Sequence, residues 1–340
     1  MSINKSFNKS FIFVCVALGL GTLSSVSNAA LTIVEPSKTG TSKIQWGNAG
    51  GLSEARNIMY SNPGFTNTPS TNYSTNNYSS PSSYLDRLPI NASSRGVIVL
   101  DVATGKSLYE KNADIARPIA SISKLMTAMV VLDAGLDMRQ EIKLEPEDFV
   151  GPKRASSRLK SGDRMNRAEL LLMALMKSEN PAAKSLARNY PGGYDAFIRA
   201  MNAKARSLGM NSAFFGDPTG LDKRNVASPA DLAKMVQAAG QYEVIRRFST
   251  TKDYDFLVAN FSDGDRTYPA NNTSKLVRSG NYPIGISKTG FINEAGRCVV
   301  METQVNNRPA IIVILGADSS NDRWNDAENI LENLSLRRTI

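Results

Sequence analysis

Strand-forming runs sit at the two ends of residues 88–340, and helix-forming sequence fills the space between. Pro309–Ala317 reads PAIIVILGA, an unbroken apolar run of the kind found in a central strand covered on both faces. Two more strand signals precede it, Tyr282–Phe291 (YPIGISKTGF) and Gly296–Val305 (GRCVVMETQV). Far upstream, Arg95–Asn112 (RGVIVLDVATGKSLYEKN) reads as two strands with Ala103-Thr104-Gly105 as the turn. Apolar residues recur at helical spacing in Ser121–Gly135 and Asn166–Ser178. Further helices are predicted over Pro181–Asn189, Tyr194–Leu208 and Pro229–Ala239, the last with Ser228 as N-cap. The segment NDRWNDAENILENLSLRR closes the chain as a helix. A sheet built from both chain ends and covered by helices is the simplest arrangement.

The first 87 residues are of another kind. Residues 1–30 carry Lys5 and Lys9, an apolar stretch Phe11–Leu23, and small residues at Ser27, Ala29 and Ala30. That is the pattern of a secretory signal peptide, and its apolar run falls short of the ~20 residues that span a bilayer. Residues 31–87 include YSNPGFTNTPSTNYSTNNYSSPSSY. So little aliphatic surface cannot offset chain entropy, and the segment reads as a flexible linker. Cys15 leaves with the signal, so Cys298 is a lone thiol, read as buried packing beside VVM. The net charge of +9 is scattered and interleaved with acids. It reads as a mixed-charge surface rather than a nucleic-acid site, with at most peripheral membrane contact.

The absence of histidine excludes a Ser–His–Asp triad and any histidine metal site. Proton transfer near neutral pH must then use a perturbed Lys, Glu, Asp, Tyr or Cys. Three short strings offer this chemistry together: SISK (Ser121–Lys124) opening a helix, SEN (Ser178–Asn180) after the next strong helix, and KTG (Lys288–Gly290) on a late strand. Each is common alone; S-x-x-K also starts at Ser2, Ser6, Ser157 and Ser249. SKTG itself occurs twice, and the copy at Ser37–Gly40 lies in linker-like sequence and is coincidental. The ordered conjunction is the signal. Residues i and i+3 of a helix share a face, so Lys124 can lie against the Ser121 hydroxyl. A serine needs such a base, and lysine becomes one when desolvated or placed beside a second cation, here Lys288. Ser178 can relay a proton, and Asn180 can contact the substrate or Lys124. Lys288 and Thr289 suit a substrate carboxylate, and Gly290 permits close backbone approach. The backbone N–H groups of Ser121 and Phe291 are the natural oxyanion donors. Glu179 reads as a solvated surface residue, and the DPTGL loop (Asp217–Leu221) as architecture. Arg297 reads equally as a substrate contact or an ordinary strand arginine.

Residues 88–340 resemble the low-molecular-mass penicillin-binding proteins, the serine D-Ala-D-Ala peptidases. The stretches ARPIASISKLMTAMVVLDAGLD, LLMALMKSENPAAKSLAR, DPTGLD and ASPADLAKM carry the likeness, with Glu179 in place of the usual Asp of the middle string. They look most like the penicillin-binding protein 7 and 8 branch, the D-alanyl-D-alanine endopeptidases. The resemblance implies a transpeptidase/β-lactamase-like fold of the α/β (α+β) class, with an antiparallel sheet and a helical subdomain. It implies Ser121 as acylated nucleophile, Lys124 as base, Ser178 and Asn180 as second motif, and Lys288, Thr289 and Gly290 as third. It further implies periplasmic cleavage of D-alanyl cross-links between peptidoglycan stem peptides, covalent inhibition by β-lactams, and no cofactor or metal. Only 50 residues follow Gly290. Two strands and a helix are expected to use them, leaving none for the second β-domain and anchor of carboxypeptidase relatives. A D-alanyl-D-alanine carboxypeptidase and a catalytically silent peptidoglycan-binding protein stay open as alternatives. A class A β-lactamase does not fit, since no Glu lies between Pro181 and Tyr242 to activate a deacylating water.

Overall fold

The computed structural model describes residues 87–337. The expected signal peptide, nearly all of the expected linker and the first SKTG copy lie outside the described residues. The main sheet has five strands: β1 (Gly96–Asp101), β2 (Ser107–Lys111), β9 (Ile284–Ile292), β10 (Gly296–Val305) and β11 (Arg308–Ala317). Their order is β2-β1-β11-β10-β9, and every neighbouring pair is antiparallel. The two chain ends meet between β1 and β11, with Val99 opposite Ile312. The apolar run that promised a covered strand is β11, in the centre of the sheet.

Strand side chains alternate between two faces, and here both faces are dry. Val97 and Val99, Val299 and Met301, and Ile312 and Ile314 pack with Trp324, Ile330, Leu331 and Leu334. Those last four come from the closing helix, α8 (Ser320–Leu336), whose start is fixed by a capping box between Ser319 and Asp322. Ile98, Leu100, Val300, Ile311, Val313 and Leu315 face the opposite way, into the large core of the helical half.

That half contains α1 (Lys124–Asp133), α2 (Arg167–Leu172), α3 (Asn180–Arg188), α4 (Gly193–Ser207), α5 (Pro229–Ala239) and α6 (Glu243–Thr250), whereas the short α7 (Lys275–Ser279) packs through Leu276 into the core under the closing helix. The predicted boundaries hold to about a residue for α3, α4 and α5, and Ser228 caps α5 by accepting from the Asp231 N–H. Three minor ladders complete the fold: β3 (Arg117–Pro118) with β6 (Val226–Ala227), β4 (Glu141–Lys143) with β5 (Arg164–Asn166), and β7 (Asp253–Val258) with β8 (Arg266–Asn271). Two predicted helices depart from regularity where they reach the cleft. Ser121–Gly135 begins as a 3-10 turn, Ala120–Ser123, and only then becomes α1. Asn166–Ser178 ends in a π turn, Met173–Lys177, a feature that often marks functional sites.

Candidate active site

The 3-10 turn places Ser121 three residues before Lys124 on one face, as the spacing required. Lys124 Nζ donates to Ser121 Oγ at 3.0 Å, to Asn180 Oδ1 at 2.7 Å and to the Thr219 carbonyl at 2.7 Å. These three bonds use every proton of an ammonium group. The side chain is fully buried, and burial pushes its pKa down from 10.5 to about 7, against the pull of Asp217 and Glu179 toward the charged form. An amine that is half neutral at pH 7 can act as a base.

Lys288 enters from β9. Its Nζ donates to Ser178 Oγ at 2.9 Å and to the Thr289 carbonyl at 3.0 Å. It too is buried. Burial lowers its pKa well below the ordinary lysine value, and the charges of Lys124 and Arg323 add to that effect. Thr289 Oγ1 donates to Thr273 Oγ1 at 2.6 Å. The three strings therefore converge: the first touches the second through Lys124 and Asn180, and the second touches the third through Ser178 and Lys288.

Two glycines set the closeness of the walls. A Cβ on Gly290 would lie 2.9 Å from the Ile119 carbonyl oxygen and 3.1 Å from the Ser121 nitrogen. A Cβ on Gly220 would lie 1.9 Å from the Ala120 oxygen, and Gly220 has φ +84°. β9 is the last strand of its sheet; it pairs with β10 on one side, Phe291 opposite Arg297. Its other edge can pair with an extended peptide. A groove opens beside Asn180 and Thr219, bordered by Val150, Lys153, Lys184 and Leu221.

Some residues fall elsewhere than expected. Glu179 is not solvated: it is 7% exposed, and it accepts from Tyr268 Oη at 2.6 Å and Ser157 Oγ at 2.7 Å. The charge between two small polar motif residues gave no hint of burial, because both donors come from segments distant in sequence. The Asp217–Leu221 loop is architecture, yet it is also the back of the site, since Thr219 holds Lys124. Asp217 accepts from the Gly220 N–H at 2.8 Å and from the Thr219 hydroxyl, and Thr127 Oγ1 donates to the Pro218 carbonyl at 2.7 Å. Arg297 stacks on Phe291, 3.7 Å from guanidinium carbon to ring centroid. Cys298 is buried, its thiol pKa pushed up by burial to about 11, which leaves it unreactive. No helix among the described residues is long and apolar enough to cross a membrane.

Comparison with known proteins places this geometry in a family. Residues 83–319 match the family model described as D-alanyl-D-alanine carboxypeptidase (Peptidase_S11). The chain is 46% identical over 237 residues to the D-alanyl-D-alanine endopeptidase of Escherichia coli, spanning 70% of this chain and 76% of that one. It is 42% identical over 239 residues to the D-alanyl-D-alanine endopeptidase of Pseudomonas aeruginosa, at the same coverages. Among solved structures, the Streptomyces K15 DD-transpeptidase superimposes with a TM-score of 0.68 at 27% identity, covering 72% of this chain and 98% of that one. The transpeptidase-like fold with its mixed helices and antiparallel sheet, the acyl-serine chemistry and the peptidoglycan connection all follow from this kinship. The chain belongs to the D-alanyl-D-alanine carboxypeptidase family of serine peptidases.

Proposed function

We propose that this protein is an exported, periplasmic endopeptidase that cuts D-alanyl cross-links between peptidoglycan stems, with Ser121 as nucleophile. The observation that carries the reading is the Lys124 amine, fully buried and 3.0 Å from Ser121 Oγ. Neutral Lys124 takes the hydroxyl proton as Oγ bonds to the D-alanyl carbonyl carbon. The carbonyl oxygen becomes an oxyanion facing the backbone N–H groups of Ser121 and Phe291. The C–N bond then breaks, and the leaving amine takes a proton through Ser178, which Lys288 holds. Water, deprotonated by Lys124, hydrolyses the ester and restores the serine. A carboxylate on the leaving residue meets Lys288 and Thr289, and Asn180 orients the acyl side. β-Lactams would acylate the same hydroxyl. The names of the two relatives above favour the endopeptidase over the carboxypeptidase.

Two measurements test this. Mature protein is expected to bind fluorescent penicillin covalently, and Ser121→Ala to bind none. Labelling that persists in the variant would remove Ser121 from its role, and an unlabelled parent would leave a silent binding protein. Purified cross-linked muropeptides are expected to pass from dimer to monomer. Release of terminal D-Ala alone would instead make the enzyme a carboxypeptidase.

A further inference from the structure

The turn that carries Ser178 and Asn180 holds a third side chain that the reaction scheme leaves without a task. Glu179 is buried between the residue that touches Lys288 and the residue that touches Lys124. Both its oxygens accept from neutral hydroxyls, Tyr268 on β8 and Ser157 in the loop before β5. No ion pair joins it to a Lys or Arg among the described residues. A buried carboxylate without a paired cation is costly unless positive charge stands nearby. The turn is also strained: Ser178 sits at φ +66°, a left-handed conformation that a serine holds only when its surroundings enforce it.

We propose that Glu179 is a positioning residue with two parts. It pins the strained Ser178–Asn180 turn to the β7–β8 hairpin, and it supplies fixed negative charge behind the Lys124 ammonium. The groups around the pair agree. Lys124 faces Asp217 from the loop before Gly220 as well as Glu179, and both favour its charged form. Lys124 in turn holds down the pKa of Lys288 on β9 by like charge. Tyr268 is held protonated by burial and by its bond to Glu179, against Arg158 and Arg266. It therefore stays a donor to Glu179.

The inference rests on Lys124 as the base, and the test separates the two. The second-order rate of acylation by fluorescent penicillin is measured from pH 5 to 9, with melting curves to certify folding. The parent rate is expected to rise through about pH 7. In Glu179→Gln the lost charge no longer favours the ammonium, so the acidic limb moves down by about half a pH unit. That raises the rate at pH 6, relative to its own plateau, about threefold. Tyr268→Phe keeps the charge and loosens the turn. Its plateau is expected to fall about two- to tenfold while its limb stays in place. A folded Glu179→Gln protein with the parent's limb overturns the inference. If that variant does not fold, Tyr268→Phe decides, and an unchanged plateau overturns it. A parent without the limb removes the base assignment, and this inference with it.

Discussion

The cleft has two unlike walls. The helical wall reaches the site through left-handed backbone three times, at Ala120 (φ +51°), Ser178 (φ +66°) and Gly220 (φ +84°). The sheet wall supplies Lys288 to Phe291 from the interior of a regular ladder, each residue opposite one of Val300 to Arg297 on β10. The charge environments differ in the same direction. Lys124, on the helical wall, is faced by the acids Asp217 and Glu179. Lys288, on the sheet wall, is faced by the cations Lys124 and Arg323. One wall carries its own counter-charge and tolerates local strain, which costs on the order of 1–3 kcal/mol per residue, to focus three acceptors on one amine. The other is an unstrained edge whose lysine is faced by cations. On the proposed reading, the first wall is built for bond-making and the second for recognition.

Breaking the strained wall is expected to have the largest effect. Gly220→Ala forces a Cβ to 1.9 Å from the backbone oxygen of Ala120, at a φ that alanine disfavours. Neither backbone segment can yield cheaply, because Thr127 and Lys124 both bond the loop around Gly220. The variant is expected to lose more than about 3 kcal/mol of stability and all measurable penicillin acylation. Denaturant titration and gel labelling check this. A variant with the parent's midpoint and labelling rate would show that the helical wall is not a rigid template.

The two walls were not equally legible in the sequence. The sheet wall was: an unbroken apolar run exposed β11, strand-forming runs exposed β9 and β10, and the second KTG stood out because strand pattern surrounded it. The helical wall was legible only as motifs. SISK and SEN could be placed on helix ends, but the left-handed turns at Ala120 and Ser178 carry no glycine to mark them. The Tyr268–Glu179 tie could not be read, because the β7–β8 hairpin went unread. The proline in its second strand, RTYPAN, blunts the strand signal, although DYDFLV alternates as a half-buried strand does. The Thr219 carbonyl that holds Lys124 is a backbone atom, and no side-chain motif reports where a carbonyl points.

The charge contrast makes a sharper prediction of intermediate size. With Lys124 at about 7, the free enzyme loses its neutral amine tenfold per pH unit below that value. The second-order acylation rate should therefore lie about 100-fold below its plateau at pH 5 and change little from pH 8 to 9. The sign follows from burial, which favours the uncharged form; a solvated lysine would leave the rate rising up to about pH 10.4. Stopped-flow acylation across pH 5 to 9.5 gives the profile. A rate still climbing tenfold per unit at pH 9 would mean that the helical wall does not discharge its amine.

Where the walls touch, the expected effect is smallest and the comparison is most exposed to test. A Cβ at Gly290 would meet the Ile119 oxygen at 2.9 Å, the Ala120 Cβ at 3.1 Å and the Ser121 nitrogen at 3.1 Å. Gly290 has ordinary strand geometry and pairs with Cys298, so alanine adds bulk without backbone strain. Overpacking of this kind costs about 1–3 kcal/mol. If the sheet wall is the one that yields, β9 shifts outward by a few tenths of an ångström, and Gly290→Ala keeps its fold. It then loses about ten- to a hundredfold in acylation, because the added methyl crowds the Ser121 N–H that the proposed mechanism offers to the oxyanion. Its acidic limb stays near pH 7, since Lys124 and its acids lie on the other wall. If instead the helical wall yields, the Ser121–Lys124 contact opens with it, and the limb moves as well as the plateau. The same pH series on this single variant therefore tells which wall is the rigid one.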